Sequence, residues 1–319
     1  MSFRSSFLGV GTYLPERVVS NAALAERLDT SDAWIRERTG ITQRHIAGPT
    51  ETCTFMAVEA ARQALARAGV SGESVDAVIV ATATPDQAFP ATAVRVQAAI
   101  GAGGFGFDLS AACSGFIYAL SVADSMIRGG AARRVLVIGS EVYSRILNWE
   151  DRATCVLFGD GAGAVLLGAG PADGPGLLST HLHSDGSFGD LLFVDGAVGL
   201  REASGCLQMN GREVFRHAVA KLAGAVDEAL AANGLSYADV DWLVPHQANK
   251  RIIDAMGKKL GLAAERVVVT VDRHANTSAA SIPLAFAEAV EDGRIRSGDL
   301  VLMEALGGGL TWGSALLRM

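Results

Sequence analysis

No apolar run in this sequence approaches the ~20 residues a helix needs to cross a bilayer, so no transmembrane span is expected. The opening stretch, Met1 to Val10, lacks the long apolar segment and cleavage site of a secretory signal. Cysteine is sparse, with four in 319 residues at positions 53, 113, 155 and 206 and no Cys-x-x-Cys pair. That spacing excludes a disulfide frame and a zinc ribbon, and it suits reduced thiols in a cytoplasm. The six histidines (45, 181, 183, 217, 246 and 274) stand at no ligand spacing from these cysteines, so no metal is expected. His181 and His183 flank Leu182 on a predicted strand and read as a solvated pair. Proline is scarce as well, 8 against 37 glycines, which points to tight turns and close backbone contacts rather than disorder. Positive charge is in deficit: the net charge of −7 argues against nucleic acid or an anionic membrane as partner. The remainder is 50% hydrophobic and 19% charged, enough for one large or two medium cores.

One stretch organises the chain, Phe107-Asp108-Leu109-Ser110-Ala111-Ala112-Cys113-Ser114-Gly115-Phe116. An apolar, glycine-spaced run ends at Asp108, and a helical pattern starts after Cys113 with Phe116, Ile117, Leu120, Ala123, Met126 and Ile127 on one face. A cysteine at the first turn of a buried helix meets orphan N–H groups and the positive end of the dipole, which favour a thiolate. The competing reading is a small buried hydrophobe, the usual fate of a free cysteine.

Along the chain, strands are predicted at Phe7–Tyr13, Val75–Val80 and Arg133–Gly139, with two more inside Thr154–Leu167 split by Gly159-Asp160-Gly161. Helices are predicted at Asn21–Arg27, after Ser31, at Thr52–Ala68 closed by Gly69, and at Val94–Ile100. The second half repeats this order. A helix over Val214–Ala232 is closed at Gly234, and strands follow at Asp241–Val244, Val267–Asp272 and Leu300–Glu304. Gly69 and Gly234, Asp76 and Asp241, Asp108 and Asp272, and Val135 and Leu300 all match at an offset of about 165 residues. The join falls in the breaker cluster Gly170 to Pro175. Two similar α/β halves with mixed sheets follow, and their equivalent loops meet at one cleft.

Three loops at strand ends face that cleft: Pro245-His246-Gln247-Ala248-Asn249, Asp272 to Ser278, and Gly307-Gly308-Gly309-Leu310-Thr311-Trp312-Gly313-Ser314. His246 sits in a polar, proline-preceded loop and is a candidate for chemistry or a satisfied structural imidazole. Asn249 and Asn276 are candidates for binding or plain helix caps. His274 reads as orienting or structural. Three glycines after a buried strand suit backbone N–H groups aimed at a reacting oxygen, with a tight turn as the alternative. No Gly-x-x-x-x-Gly-Lys phosphate loop is present.

Ala111 to Phe116, Pro245 to Asn249, His274 to Ser281 and Gly307 to Ser314 together resemble the β-ketoacyl-acyl carrier protein synthase III family. These are the initiating condensing enzymes of fatty acid synthesis. The likeness runs from Gly9 to the C-terminus. It implies a thiolase-like α/β fold of five layers, αβαβα, in two duplicated halves, residues 1–172 and 173–319. It implies Cys113, His246 and Asn276 as catalytic triad, with Cys113 and Gly309 backbone N–H groups as the oxyanion hole. Cys113 would take the acyl group of a short acyl-CoA such as acetyl-CoA. His246 and Asn276 would stabilise the enolate formed when malonyl-acyl carrier protein decarboxylates.

The resemblance further implies Trp34, Arg38 and Arg152 around the CoA nucleotide, and Gly211, Phe215 and Asn249 along the pantetheine arm. Phe89, Leu147, Phe158 and Leu207 would form the acyl pocket, with Phe89 reaching the partner of a homodimer. Gln247, Ala248, Asn249, Lys250, Arg251, Lys258, Lys259 and Arg216 would dock the acidic carrier protein. No metal or cofactor beyond the CoA thioester is implied. A degradative thiolase would need a cysteine in the glycine turn, and an elongating synthase a histidine in place of Asn276. Quinolone or polyketide priming enzymes share the triad, and a non-catalytic acyl-binding subunit would need none of it.

Overall fold

The computed structural model describes residues 3–196 and 205–319, so part of the glycine-rich stretch between Asp185 and Gly205 lies outside the described residues. The first half supplies β1 (Phe3–Tyr13), β2 (Val18–Ser20), α1 (Asn21–Ala25), α2 (Asp32–Thr39), β3 (Gln43–His45) and α3 (Cys53–Ala68). It continues with β4 (Ala77–Ala81), α4 (Thr92–Ile100), β5 (Phe105–Leu109), α5 (Gly115–Arg128), β6 (Arg134–Val142) and β7 (Asp160–Pro171). The second half supplies β8 (Gly176–Ser184), β9 (Leu192–Val194), β10 (Leu207–Met209), α6 (Gly211–Ala232) and β11 (Trp242–Pro245). It ends with α7 (Lys250–Leu260), α8 (Val271–His274), α9 (Ser281–Glu291), β12 (Leu300–Gly307) and β13 (Thr311–Arg318).

Local chemistry sets these boundaries. The Ser31 hydroxyl accepts Trp34 N to start α2, and Thr52 accepts Phe55 N to start α3, each at 3.1 Å. Gly69 closes α3 in the left-handed conformation at φ 66°. Among the described residues no helix is long and apolar enough to cross a membrane.

The repeat read from the sequence is visible in the strand pairing. One sheet runs β1-β7-β6-β4-β5 and the other β8-β13-β12-β11. In each, the first two neighbouring pairs are antiparallel and the next is parallel. Helices α5 and α9 pack against strands of both sheets, while α3 and α4 cover the outer face of one and α6 that of the other. The result is the expected five-layer α/β arrangement with mixed sheets. Its central apolar cluster joins Phe116, Ile117 and Leu120 of α5 to Ile282 and Phe286 of α9.

Two predicted strands are corrected. Thr154–Leu157 is not a strand but a turn, held by Thr154 and Cys155 N–H groups donating to Asp151 O; Phe158 makes a single parallel bridge to Asn276, and β7 begins only at Asp160. Val267–Asp272 forms no strand either. Val267 makes a single parallel bridge to Leu243, and the chain then coils into α8. The fifth strand of the second sheet is thus reduced to one bridge, because the chain must turn there to deliver Asn276. His181 and His183 are also more than a solvated pair, since both bond the Glu228 carboxylate, at 3.2 and 2.6 Å.

Candidate active site

Strand β5 delivers the chain to a tight turn, Ala112–Ser114, from which α5 departs. Ala112 takes a positive φ of 45°, a strained value for a residue with a side chain. Cys113 in this turn is 4% exposed. The glycine turn presses directly on it: a Cβ on Gly307 would lie 2.7 Å from Cys113 N, so only glycine fits. Thr311 fastens the same junction, its Oγ1 donating to Ala111 O at 3.0 Å and lying 2.8 Å from Ser114 Oγ. Gly307 is thus the glycine of the turn that meets the cysteine backbone. The atoms crowding Gly309 belong to Thr311.

The resting state of the thiol is also corrected. Burial pushes its pKa up to about 11, outweighing hydrogen bonds from Ser278, Tyr143 and its own backbone N–H, while the nearby Glu141 charge pushes it further up.

His246 follows the end of β11, where its backbone N–H donates to Glu304 O at 2.8 Å. Its Nδ1 lies 2.6 Å from Ser281 Oγ. Burial lowers its pKa to about 3, so the imidazole is neutral at ordinary pH. Asn276 follows Ala275, which sits at φ 58°. The Asn276 backbone N–H donates to Leu157 O at 2.9 Å and its carbonyl accepts Gly159 N at 3.0 Å. Its side-chain Oδ1 accepts Ser278 N at 2.8 Å, so the amide nitrogen is the atom left for other partners. The turn-residue reading thus accounts for the oxygen of this side chain, and its nitrogen is left for the cavity.

Cys113, His246 and Asn276 line one cavity of about 470 Å³. Trp34, Arg38, Gly211, Phe215, Asn249 and Phe158 line it too, as predicted. Arg38 and Arg152 lie over the Trp34 ring, 4.7 and 5.4 Å from its centroid. Leu147 and Leu207 do not reach the cavity wall; they pack in the apolar cluster behind it together with Tyr143 and Phe158. Phe89 is 85% exposed and lines no part of its own chain's cavity.

Gln247 is corrected as a docking residue because it is 1% exposed. Its amide donates to Pro245 O and Val268 O and accepts Thr270 and Val271 N–H groups, so it braces the site's loops from inside. Ala248 lines the cavity. Of the predicted basic residues, Arg216, Arg251, Lys258 and Lys259 are exposed. Lys250 pairs with Asp254 and Arg216 with Glu213, each at 2.5 Å. His274 is buried away from the cavity, with its pKa lowered to about 3 by burial and the nearby Arg273 and His45 charges.

Five residues were missed. Arg212 lines the cavity. Ser278, Tyr143, Ser281 and Glu141 surround its catalytic end. Glu141 shows the clearest available signal, a buried carboxylate near the end of the mostly apolar strand β6.

Models of 3-oxoacyl-[acyl-carrier-protein (ACP)] synthase III match residues 107–186, and models of its C-terminal part match residues 230–319. The chain is 75% identical over 317 residues to the beta-ketoacyl-[acyl-carrier-protein] synthase III of Acidiphilium cryptum, with 99% of each chain covered. Among solved structures it is similar to 3-oxoacyl-[acyl-carrier-protein] synthase III from Aquifex aeolicus, at 48% identity and a TM-score of 0.94, covering 99% of this chain and 100% of that one. It is also similar to the priming β-ketosynthase of the R1128 polyketide pathway, at 40% identity and the same TM-score of 0.94, covering 99% and 97%.

Proposed function

The chain belongs to the β-ketoacyl-acyl carrier protein synthase III family, and from that premise we propose how its residues divide the reaction. The enzyme is an acyltransferase that condenses a short acyl-CoA, acetyl-CoA in the simplest case, with malonyl-acyl carrier protein to start fatty acid synthesis. The observation that carries the assignment is the convergence of Cys113, His246 and Asn276 on one buried cavity.

In the first half-reaction the Cys113 sulfur attacks the thioester carbonyl. The oxyanion is stabilised by the Cys113 N–H and the glycine turn pressed against it. CoA leaves and the acyl group remains on sulfur. Malonyl-acyl carrier protein then loses CO₂, and charge grows on its thioester oxygen. The Ser281 hydroxyl accepts Gln247 N at 3.3 Å, which frees its own proton for His246 Nδ1 and assigns the remaining ring proton to Nε2. Nε2–H and the Asn276 amide N–H are neutral, desolvated donors, suited to an enolate that carries the negative charge itself. The enolate carbon attacks the acyl-cysteine, and the thiolate departs. No step requires a metal.

Trp34, Arg38 and Arg152 bind the nucleotide end of CoA, and Gly211, Phe215 and Asn249 line the pantetheine path. Asn249 is held there by donating from its amide to Arg38 O at 3.2 Å. Arg216, Arg251, Lys258 and Lys259 give the acidic carrier protein a basic surface on an otherwise acidic molecule, with Lys250 beside them. The exposed Phe89 supports a homodimer in which it enters the partner's acyl pocket, and the cytoplasm suits four unpaired cysteines. Residues 1–172 and 173–319 are the two duplicated halves.

The test is intact-protein mass spectrometry with a panel of acyl-CoAs, followed by malonyl-acyl carrier protein. One acyl adduct on Cys113 is expected, discharged as a 3-oxoacyl product. An adduct on Cys53, Cys155 or Cys206 overturns the site, and preference for a long or aromatic starter overturns the fatty-acid role.

A further inference from the structure

We propose that Tyr143 sets the length of acyl group the site accepts, because its ring backs Phe158 at the acyl end of the cavity and closes off the apolar space behind. The inference rests on the reading of Cys113 as the acyl-accepting nucleophile. It names the starter class that nucleophile takes, a short straight-chain acyl thioester.

Phe158 shares the cavity wall with Cys113 and Asn276. Its backbone is held on both sides. It makes a parallel bridge to Asn276, flanked by Asn276 N–H donating to Leu157 O at 2.9 Å and Gly159 N–H donating to Asn276 O at 3.0 Å. The ring is the part left free to move, and Tyr143 decides where it stands. The two rings are stacked, with centroids 5.0 Å apart and planes 24° apart. Tyr143 is buried and lines no part of the cavity, so it backs Phe158 on the side away from the substrate.

The Tyr143 ring is itself pinned. Its hydroxyl lies 3.0 Å from Ser278 Oγ, and the Ser278 backbone N–H donates to Asn276 Oδ1 at 2.8 Å. The turn Ser278–Ala280 also abuts the helix that leaves Cys113: a Cβ on Gly115 would lie 3.5 Å from that of Ala279. Wall and enolate donor therefore share one mount, since Tyr143 and Asn276 both bond Ser278. Behind the stack lie Leu147 and Leu207, buried in the same apolar cluster and outside the cavity's lining. Leu207 N–H donates to Ile146 O at 2.8 Å, which ties that backing to the segment carrying Tyr143.

A length limit set by packing follows. Trp34, Arg38, Phe215 and Asn249 line the path by which CoA enters, which leaves the acyl group the Phe158 side of Cys113. A growing chain meets Phe158 there, and Phe158 cannot tilt away because the Tyr143 ring fills the space it would enter. Removing that ring gives Phe158 somewhere to go, and the acyl end lengthens. One methylene of fit in an apolar pocket changes discrimination roughly 10- to 200-fold, so the effect is large enough to read.

The test offers the enzyme an equimolar mixture of acetyl-, butyryl- and octanoyl-CoA and weighs the intact acyl-enzyme at early times. Only folded enzyme acylates, so the ratio of adducts on Cys113 is read from native molecules. The unaltered enzyme takes acetyl over octanoyl. Tyr143→Ala raises the octanoyl-to-acetyl ratio roughly 10²-fold, whereas Tyr143→Phe keeps the ring and holds the native ratio. A native ratio in Tyr143→Ala, or the same rise in Tyr143→Phe, overturns the assignment. Leu207→Ala leaves the stack in place and gives an arm independent of how the Tyr143 variants fold. It makes room that an acyl chain cannot reach past Tyr143, so its ratio stays native; a rise in Leu207→Ala alone places the barrier elsewhere and overturns the proposal. An unaltered enzyme that takes no acyl group on Cys113 from any of the three refutes the proposed function instead.

Discussion

The Ser281 hydroxyl lies 2.6 Å from His246 Nδ1, and its oxygen accepts the Gln247 backbone N–H at 3.3 Å. One hydroxyl thus holds the ring orientation of the imidazole. Ser281→Ala should slow condensation roughly 10²-fold by loosening that geometry, with much less effect on acyl loading. Single-turnover loading and multiple-turnover condensation separate the two, and an equal loss in both would refute the orienting role.

Asn276 presents an amide N–H because its Oδ1 is already occupied by Ser278 N. Asn276→Asp keeps the shape but replaces the amide donor with a carboxylate oxygen that repels the enolate oxygen. Acyl transfer to Cys113 should survive, while decarboxylation of malonyl-acyl carrier protein should fall by ~10²-fold or more. Release of labelled CO₂ from pre-acylated enzyme is the measurement; undiminished release would remove Asn276 from the enolate site.

Trp34 is bracketed by Arg38 and Arg152 over its ring. Trp34→Ala should raise the KM for acyl-CoA by roughly five- to tenfold, the worth of a stacked aromatic–cation contact, with kcat little changed. A drop in kcat at unchanged KM would place Trp34 outside the nucleotide site.

Glu304 is fully buried, its Oε2 has no partner, and burial pushes its pKa up to about 8. Folded Glu304 keeps a proton that the unfolded chain releases above its ordinary value of 4.5. Its contribution is therefore full below that value and is lost as pH rises through about 8. Glu304→Gln should stabilise the enzyme above this window relative to below it, by about 2–5 kcal/mol. Denaturant midpoints on the two sides of the window test this, and equal changes on both would count against it. His246 and His274 slope the other way. Both stay neutral when folded, down to about 3, so stability falls as acid charges the unfolded chain below 6.5.

Arg44 is fully buried and donates to Val19 O at 3.1 Å, Asn21 Oδ1 at 2.9 Å and Val156 O at 2.9 Å. It ties β3 to the segment whose Leu157 O receives Asn276 N. Arg44→Met should cost about 3–5 kcal/mol, because three acceptors lose a buried donor. Unfolding at native denaturant concentrations would show the tie to be dispensable.

The repeat was legible because Gly69 and Gly234 end equivalent helices and the strand pairs recur in the same order. The meeting of Cys113, His246 and Asn276 at one cavity was legible because all three stand in loops at the ends of apolar runs. Two misread strands share a cause. Val267–Val271 has strand-like composition, yet the backbone leaves the sheet after one bridge to form α8 and place Ala275 in its strained conformation. Composition reports burial there, not pairing. Gln247 looked like a surface polar residue because its partners are backbone groups from two distant segments, which no local pattern displays. The burial of the thiol was not legible because desolvation depends on what covers a residue, and the covering groups come from distant segments such as Gly307.

The matching strand orders of the two sheets bring loops of both units to one cavity. The sulfur is rooted in the first unit, whereas the glycine turn pressed against it and the side chains of His246 and Asn276 are rooted in the second. Neither unit therefore holds a complete half of the site, and a lesion in the second reaches the sulfur as directly as one in the first.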